Sequence, residues 1–252
     1  MCLAVFVGCS RKTSEPPPPP VSAAPSTSTM HGELAGIRYL ERMTGGAQPD
    51  ERVPMIIALH PMGGDPSALL EILRGYTGRA RIILPFGHPR GGMYEWYYFV
   101  PGGPEGADVT READRLAVFI EAVIDERPTV GKPIVTGFSQ GGIMTFGLAV
   151  THPESMSAAF PISGRLPASL YPSVALSSKP APTKLPAIVA FHGADDLAVP
   201  TADARASIAE LQRAGYAAEL REYSGLAHET NEAEVREIYE RLASTLKIFP
   251  SP

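Results

Sequence analysis

The sequence predicts one α/β domain built on a mainly parallel β-sheet with helices on both faces. Three observations carry this prediction. Short apolar, β-branched runs alternate along the chain with longer segments of helical periodicity, and such alternation threads strands in parallel through crossover helices. Runs such as 55–59 and 187–191 are apolar at successive positions, which suits strands buried on both faces. One further run, 133–136, breaks at Gly137-Phe138-Ser139-Gln140-Gly141-Gly142 and turns directly into a helical stretch. A strand that reverses into a helix at a serine presents that hydroxyl at the carboxyl edge of the sheet, beside free helical amides. The flanking glycines leave room for the strained turn.

The chain opens outside this pattern. Residues 1–9 read as the remnant of a signal peptide, and Phe6-Val7-Gly8-Cys9 resembles a bacterial lipoprotein box, in which the cysteine after a small residue is lipidated. A full signal peptide has a basic segment and an apolar core of ~7 to 15 residues; here only a stub precedes Cys9. Residues 10–31 carry the run Pro16 to Pro20 and much Ser, Thr and Ala, a composition that builds no core and reads as a disordered tether. In polyproline form at ~3.1 Å per residue it would hold a domain some tens of ångströms from an anchor. The expectation is a catalytic domain over 32–252 at a bacterial cell envelope, lipid-anchored through Cys9 or periplasmic. The alternative is an unprocessed tail on a cytoplasmic protein.

From residue 36 the pattern becomes regular. Residues 37–43 read as an edge strand, 45–50 as a turn and 55–59 as a buried strand. That strand empties into His60-Pro61-Met62-Gly63-Gly64-Asp65, a loop whose amides can face a ligand oxygen, ahead of a helix over 66–74. A strand over 80–84 leads to a loop over 85–92. Tyr94, Trp96, Tyr97, Tyr98 and Phe99 then crowd one segment. They either line a substrate cleft, with Trp96 and Tyr97 the candidates, or pack beneath a loop.

Residues 108–125 carry early acidic residues and then Leu116, Phe119, Ile120, Val123 and Ile124, the pattern of an amphipathic helix. Pro128 and Gly131 introduce the serine strand, and 143–150 is the buried helix behind it. Further strands are expected over 156–162, 187–191 and 218–223, with helices over 201–214 and 232–246. The stretch 166–186 reads as a long loop, either a lid or a surface insertion. No internal repeat or membrane-spanning run is visible.

Composition excludes several classes of partner. The net charge of −5 is mild and the basic residues are scattered, which speaks against nucleic acid and polyanions. Cys2 and Cys9 are the only cysteines, so the domain holds no disulfide and no cysteine metal site. Oligomeric state is not set by the sequence.

A serine hydroxyl needs an adjacent base, usually a histidine oriented by a carboxylate. In enzymes with this turn the chain order is Ser, acid, His. Of the six histidines, His31, His60 and His88 come too early. His152 ends the helix behind the serine, and His192 precedes any later carboxylate. His228, in the loop between the last strand and last helix, meets both conditions. The acid belongs after strand 187–191, where Asp195 and Asp196 stand side by side; spacing alone does not choose between them.

Here the resemblance becomes specific. Gly-Phe-Ser-Gln-Gly-Gly at 137–142, His-Gly-x-x-Asp-x-x-Val-Pro at 192–200 and Gly-x-x-His at 225–228 together resemble the phospholipase/carboxylesterase branch of the α/β-hydrolase superfamily. The resemblance spans residues 36–246 and implies the α/β-hydrolase fold. It places the acid three residues before Val-Pro, at Asp196, leaving Asp195 a turn or cap. It also implies an oxyanion hole made by the Met62 and Gln140 backbone N–H groups, although Pro61 stands where the family pattern has glycine.

The expected function is a carboxylic ester hydrolase with nucleophile Ser139, base His228 and acid Asp196, working through an acyl-enzyme and requiring no metal or organic cofactor. The substrate is a small-molecule or lipid ester. Two alternatives stand beside it: a serine peptidase of prolyl-oligopeptidase type, and an envelope-tethered binding protein that keeps the fold without the chemistry.

Overall fold

A computed structural model describes residues 29–172 and 185–246. In chain order its strands are β1 (Met30–Leu34), β2 (Ile37–Thr44), β3 (Met55–Leu59), β4 (Ala80–Pro85), β5 (His88–Arg90), β6 (Met93–Glu95), β7 (Ile134–Phe138), β8 (Ala158–Ile162), β9 (Ala187–Gly193) and β10 (Ala218–Tyr223). The helices are α1 (Ser67–Ile72), α2 (Glu105–Glu126), α3 (Gln140–Thr151), α4 (Thr201–Arg213) and α5 (Glu232–Leu246). Among the described residues eight strands form one sheet in the order β1-β2-β4-β3-β7-β8-β9-β10. β1 and β2 pair antiparallel, as do β2 and β4, and every later pairing is parallel. This is the α/β-hydrolase arrangement, with a mostly parallel sheet and crossover helices.

Two apolar layers cover the sheet because side chains alternate along each strand. Met55, Ile57, Leu59, Val135, Ile188 and Ala190 face α2, α3 and α4 through Leu116, Phe119, Phe146 and Leu211. Ile56, Ala58, Ile134, Val189 and Phe191 face the opposite layer, where Leu69 of α1 and Ile238 and Leu242 of α5 pack. Full burial of each large apolar side chain contributes about 1.5–3 kcal/mol, so continuous apolar strands settle between helices and not at a wet face.

The described chain differs from expectation at several places. Met30 and His31, within the stretch expected as a tether through residue 31, belong to β1. β1 pairs with β2 from Met30↔Glu41 to Leu34↔Ile37, so the strand expected at the edge lies one place inside it. The stretch expected as a loop over 85–92 contains β5, which with β6 forms a hairpin. α2 starts at Glu105 and α3 at Gln140, each a few residues earlier than the apolar periodicity indicates. Within the long loop, Ala168–Leu170 forms one 3₁₀ turn. Residues 173–184 lie outside the described residues, as do Cys9 and the expected signal remnant.

Candidate active site

β7 delivers Ser139 to the carboxyl edge of the sheet. Its backbone has φ +56° and ψ −118°, a region that side-chain-bearing residues rarely occupy and that needs support from the surroundings. The support is two backbone hydrogen bonds: Ser139 N–H donates to Ile162 O at 3.0 Å, and Ile143 N–H donates to Ser139 O at 2.9 Å. The flanking glycines are required by contact and not only by conformation. A Cβ on Gly141 would sit 2.1 Å from Leu59 O, and one on Gly137 would sit 2.4 Å from Gly141 O. The turn is therefore pressed directly against the end of β3.

His228 arrives on the loop between β10 and α5. That loop is held by Asp195 N–H donating to Leu226 O at 2.9 Å. Its far end is fixed where Asn231 Oδ1 accepts the Glu234 N–H at 2.9 Å, a side-chain cap on α5. His228 Nδ1 lies 2.7 Å from Asp196 Oδ2, and His228 Nε2 lies 2.8 Å from Ser139 Oγ. Because an ionised carboxylate only accepts, Nδ1 carries the proton and Nε2 presents its lone pair to the serine hydroxyl. Phe138 packs against the imidazole with ring centroids 5.1 Å apart.

Asp196 is buried and Asp195 is exposed. Asp196 Oδ1 accepts the Ala198 and Val199 N–H groups, each at 2.9 Å. Its other oxygen faces His228 and, at 3.3 Å, Nε2 of the fully buried His192. His192 Nε2 also lies 2.8 Å from Val199 O. A carbonyl accepts only, so the His192 proton sits on Nε2, and its Nδ1 has no partner among the described residues. Burial lowers the His192 pKa, which keeps the ring neutral and a donor toward the acid.

Met62 and Gln140 begin the two segments beside the serine. Neither of their backbone N–H groups donates to a protein acceptor among the described residues. The Met62 loop is pinned from both sides: Gly63 N–H donates to Tyr94 O at 2.9 Å, and Tyr94 N–H donates to Gly64 O at 3.1 Å. His60, fully buried, accepts the Gly87 N–H on Nε2 at 3.0 Å and donates from Nδ1 to Pro61 O at 2.8 Å. Burial lowers its pKa as well. Pro61 thus anchors the loop through its carbonyl while position 62 keeps its amide. Among the described residues no cluster of His, Cys, Asp and Glu is arranged to hold a metal ion.

A family model described as Phospholipase/Carboxylesterase matches residues 48–246. The chain belongs to this family. It is 28% identical over 132 residues to Carboxylesterase SOBER1 of Arabidopsis thaliana, covering 51% of this chain and 57% of that protein. It is 28% identical over 153 residues to Acyl-protein thioesterase 1 homolog 2 of Dictyostelium discoideum, covering 59% of this chain and 66% of that protein. The chain thus spans between half and two thirds of the length of these relatives. The structure resembles that of a carboxylesterase from Mesorhizobium loti with TM-score 0.67 and 19% identity, over 85% of this chain and 98% of that one, a likeness of fold.

Within this phospholipase/carboxylesterase member, Ser139, Asp196 and His228, the residues expected as nucleophile, acid and base, form one hydrogen-bonded row. Trp96 and Tyr97 do not line an open pocket. Trp96 is 0% and Tyr97 3% exposed, and the Tyr97 hydroxyl donates to Glu105 Oε1 at 2.9 Å. The packing alternative is the one observed, since Trp96 is fully buried with its ring stacked on His60 at 4.6 Å. Met62, Met93, Leu197 and, next to Tyr97, Tyr98, Phe99 and Val100 are exposed instead. Sequence reasoning set His192 aside as a base and gave it no other role. The signal available was its place four residues before the acid.

Proposed function

We propose that the protein is a serine hydrolase that cleaves carboxylic esters through an acyl-enzyme. The observation that carries this reading is the unbroken chain Asp196 Oδ2, His228 Nδ1, His228 Nε2, Ser139 Oγ, with links of 2.7 and 2.8 Å. Ser139 Oγ attacks the ester carbonyl carbon as His228 Nε2 takes the hydroxyl proton. Asp196 holds the ring in the tautomer this needs and stabilises the imidazolium. The carbonyl oxygen, now an oxyanion, accepts the Met62 and Gln140 N–H groups, and donors so placed typically contribute about 2.7–4 kcal/mol each to lowering the barrier. On collapse the bond to the leaving alcohol breaks and His228 returns the proton to that alcohol's oxygen. Water repeats the sequence on the acyl-serine, releasing the acid and restoring Ser139.

The same chemistry accepts a thiol leaving group. The name of the Dictyostelium relative, an acyl-protein thioesterase, supports including thioesters among the candidate substrates. The small residue before Cys9 and the Pro/Ser/Thr-rich stretch behind it support a lipid anchor at the bacterial envelope, testable by the mass of the native N-terminus.

The enzymatic reading is tested with p-nitrophenyl esters of graded acyl length and matched thioesters. Wild-type protein turns over members of this set, while Ser139→Ala and His228→Ala, each folded by circular dichroism, do not. Undiminished turnover in either variant contradicts it.

A further inference from the structure

The proposed oxyanion hole draws its two amides from segments far apart in sequence, Met62 after β3 and Gln140 at the start of α3. Nothing in a loop of Pro, Met and glycine fixes their separation locally. Beside the pairing of β3 with β7 and the packing of the Ser139 turn on Leu59 O, one buried residue spans them through side-chain hydrogen bonds. Trp96 N–H donates to Gln140 Oε1 at 2.9 Å, and Gln140 Nε2 donates in return to Tyr97 O at 2.9 Å. The same tryptophan donates from its indole Nε1 to His60 O at 2.8 Å, and its ring lies on the His60 imidazole at 4.6 Å and 24°. His60 in turn holds Pro61 O, one residue before Met62.

All these groups are dry: Trp96 and His60 are 0% exposed and Gln140 4%. In such surroundings a hydrogen bond is stiff and a missing partner is costly. A primary amide both accepts from a backbone N–H and donates to the next backbone C=O without any change of charge.

We propose that Trp96 and the Gln140 side chain are positioning residues that set the spacing of the two oxyanion amides. The inference rests on the ester-hydrolase reading. It assigns a role in the reaction to residues that touch no substrate: the indole N–H ties the β3 end, the Gln140 amide ties the nucleophile turn, and the backbone of 96–97 is the strut between them. Preorganised donors act only where the negative oxygen will be, so a loosened strut weakens transition-state binding and leaves ground-state binding alone.

The test compares wild type with Trp96→Phe, which keeps an aromatic ring but deletes the indole donor, and with Gln140→Met, which keeps length but can neither accept from Trp96 N–H nor donate to Tyr97 O. Active sites are titrated with a fluorophosphonate so that rates refer to competent molecules. Turnover of p-nitrophenyl acetate and inhibition by an alkyl trifluoromethyl ketone, which adds Ser139 Oγ at its carbonyl to form an oxyanion, are then measured. The expected result for both variants is kcat lower by about 10- to 100-fold, KM within about threefold, and ketone affinity reduced by the same factor as kcat/KM. If a variant only lowers the melting temperature while kcat per titrated site and ketone affinity stay at wild-type values, the residues are structural and the proposal is overturned. Should Trp96→Phe fail to fold, Gln140→Met carries the comparison, and the reverse. Failure of wild type to hydrolyse any ester or react with the fluorophosphonate overturns the underlying reading, an outcome distinct from active wild type with unaffected variants.

Discussion

Asp196 Oδ2 lies 2.7 Å from His228 Nδ1, whereas its neighbour Asp195 is exposed and contributes only its backbone N–H, to Leu226 O. Two adjacent carboxylates are thus separated by one step of a turn into one that faces His228 and one that faces water. Asp196→Asn places an amide where an acceptor is needed and favours the wrong imidazole tautomer, so kcat on a p-nitrophenyl ester should fall by about 10³- to 10⁴-fold. Asp195→Asn should stay within about threefold of wild type. The opposite ranking in steady-state kinetics would move the acid.

The nucleophile turn makes a steric prediction. With only 2.1 Å between a Gly141 Cβ and Leu59 O, backbone must shift to admit a methyl group. Gly141→Ala should lose about 3 kcal/mol of unfolding free energy and nearly all turnover, since the shift displaces Ser139 and the Gln140 amide together. Denaturation in urea with activity measured on the same sample checks both. A stable, active variant would mean that the turn is not pressed on β3.

His192 makes the stability depend on acid. Its pKa is lowered from the ordinary 6.5 chiefly by burial, against the pull of Val199 O and Asp196. Unfolded chain therefore binds the proton first, and the stabilisation present above pH 6.5 is lost as pH falls toward the lowered folded value. His60 behaves in the same direction, also through burial. The gap in unfolding free energy between wild type and His192→Gln should narrow between about pH 7 and about pH 5; a gap independent of pH contradicts a neutral buried ring.

Glu234 acts at the other end of the range. It is fully buried near the start of α5, neither carboxyl oxygen has a hydrogen-bond partner among the described residues, and burial pushes its pKa up to about 8. Folding then favours the protonated form. Its contribution is complete below 4.5 and is lost as pH rises to about 8, because the unfolded carboxyl releases its proton first. Glu234→Gln should gain on wild type progressively across that interval in denaturant titrations. A wild-type advantage that grows with pH would mean that the carboxylate is charged and paired.

Much of this molecule is legible in its sequence because burial on both faces imposes a pattern. The runs at 55–59 and 187–191 are continuous and apolar for that reason, and 82–84 is so after Arg81; each lies in a strand. β1 is not legible in the same way: Met-His-Gly-Glu-Leu follows a Pro/Ser/Thr-rich stretch and gains its order from pairing with β2, a nonlocal fact. The β5–β6 hairpin is three residues a side and contains Pro89, too short to leave a periodicity. Chain order singles out His228, but the choice of Asp196 over Asp195 needs the family pattern. The aromatic cluster exposes the limit most plainly. Composition marks Trp96 and Tyr97 as large and adaptable, but only the fold decides whether they meet a ligand or the Gln140 amide. Gln140 itself reads from sequence as a backbone donor, and its side-chain clamp appears only once the 96–97 segment is in place.

The most direct measurement of the central claim is intact-protein mass after reaction with a fluorophosphonate, followed by peptide mapping, in wild type, Ser139→Ala and His228→Ala. The expected result is one adduct per chain on Ser139 in wild type, none in Ser139→Ala, and labelling slowed by about 10³-fold or more without the base. Folded wild-type protein that takes no adduct, or an adduct at another serine that persists in Ser139→Ala, would contradict nucleophilic catalysis at Ser139.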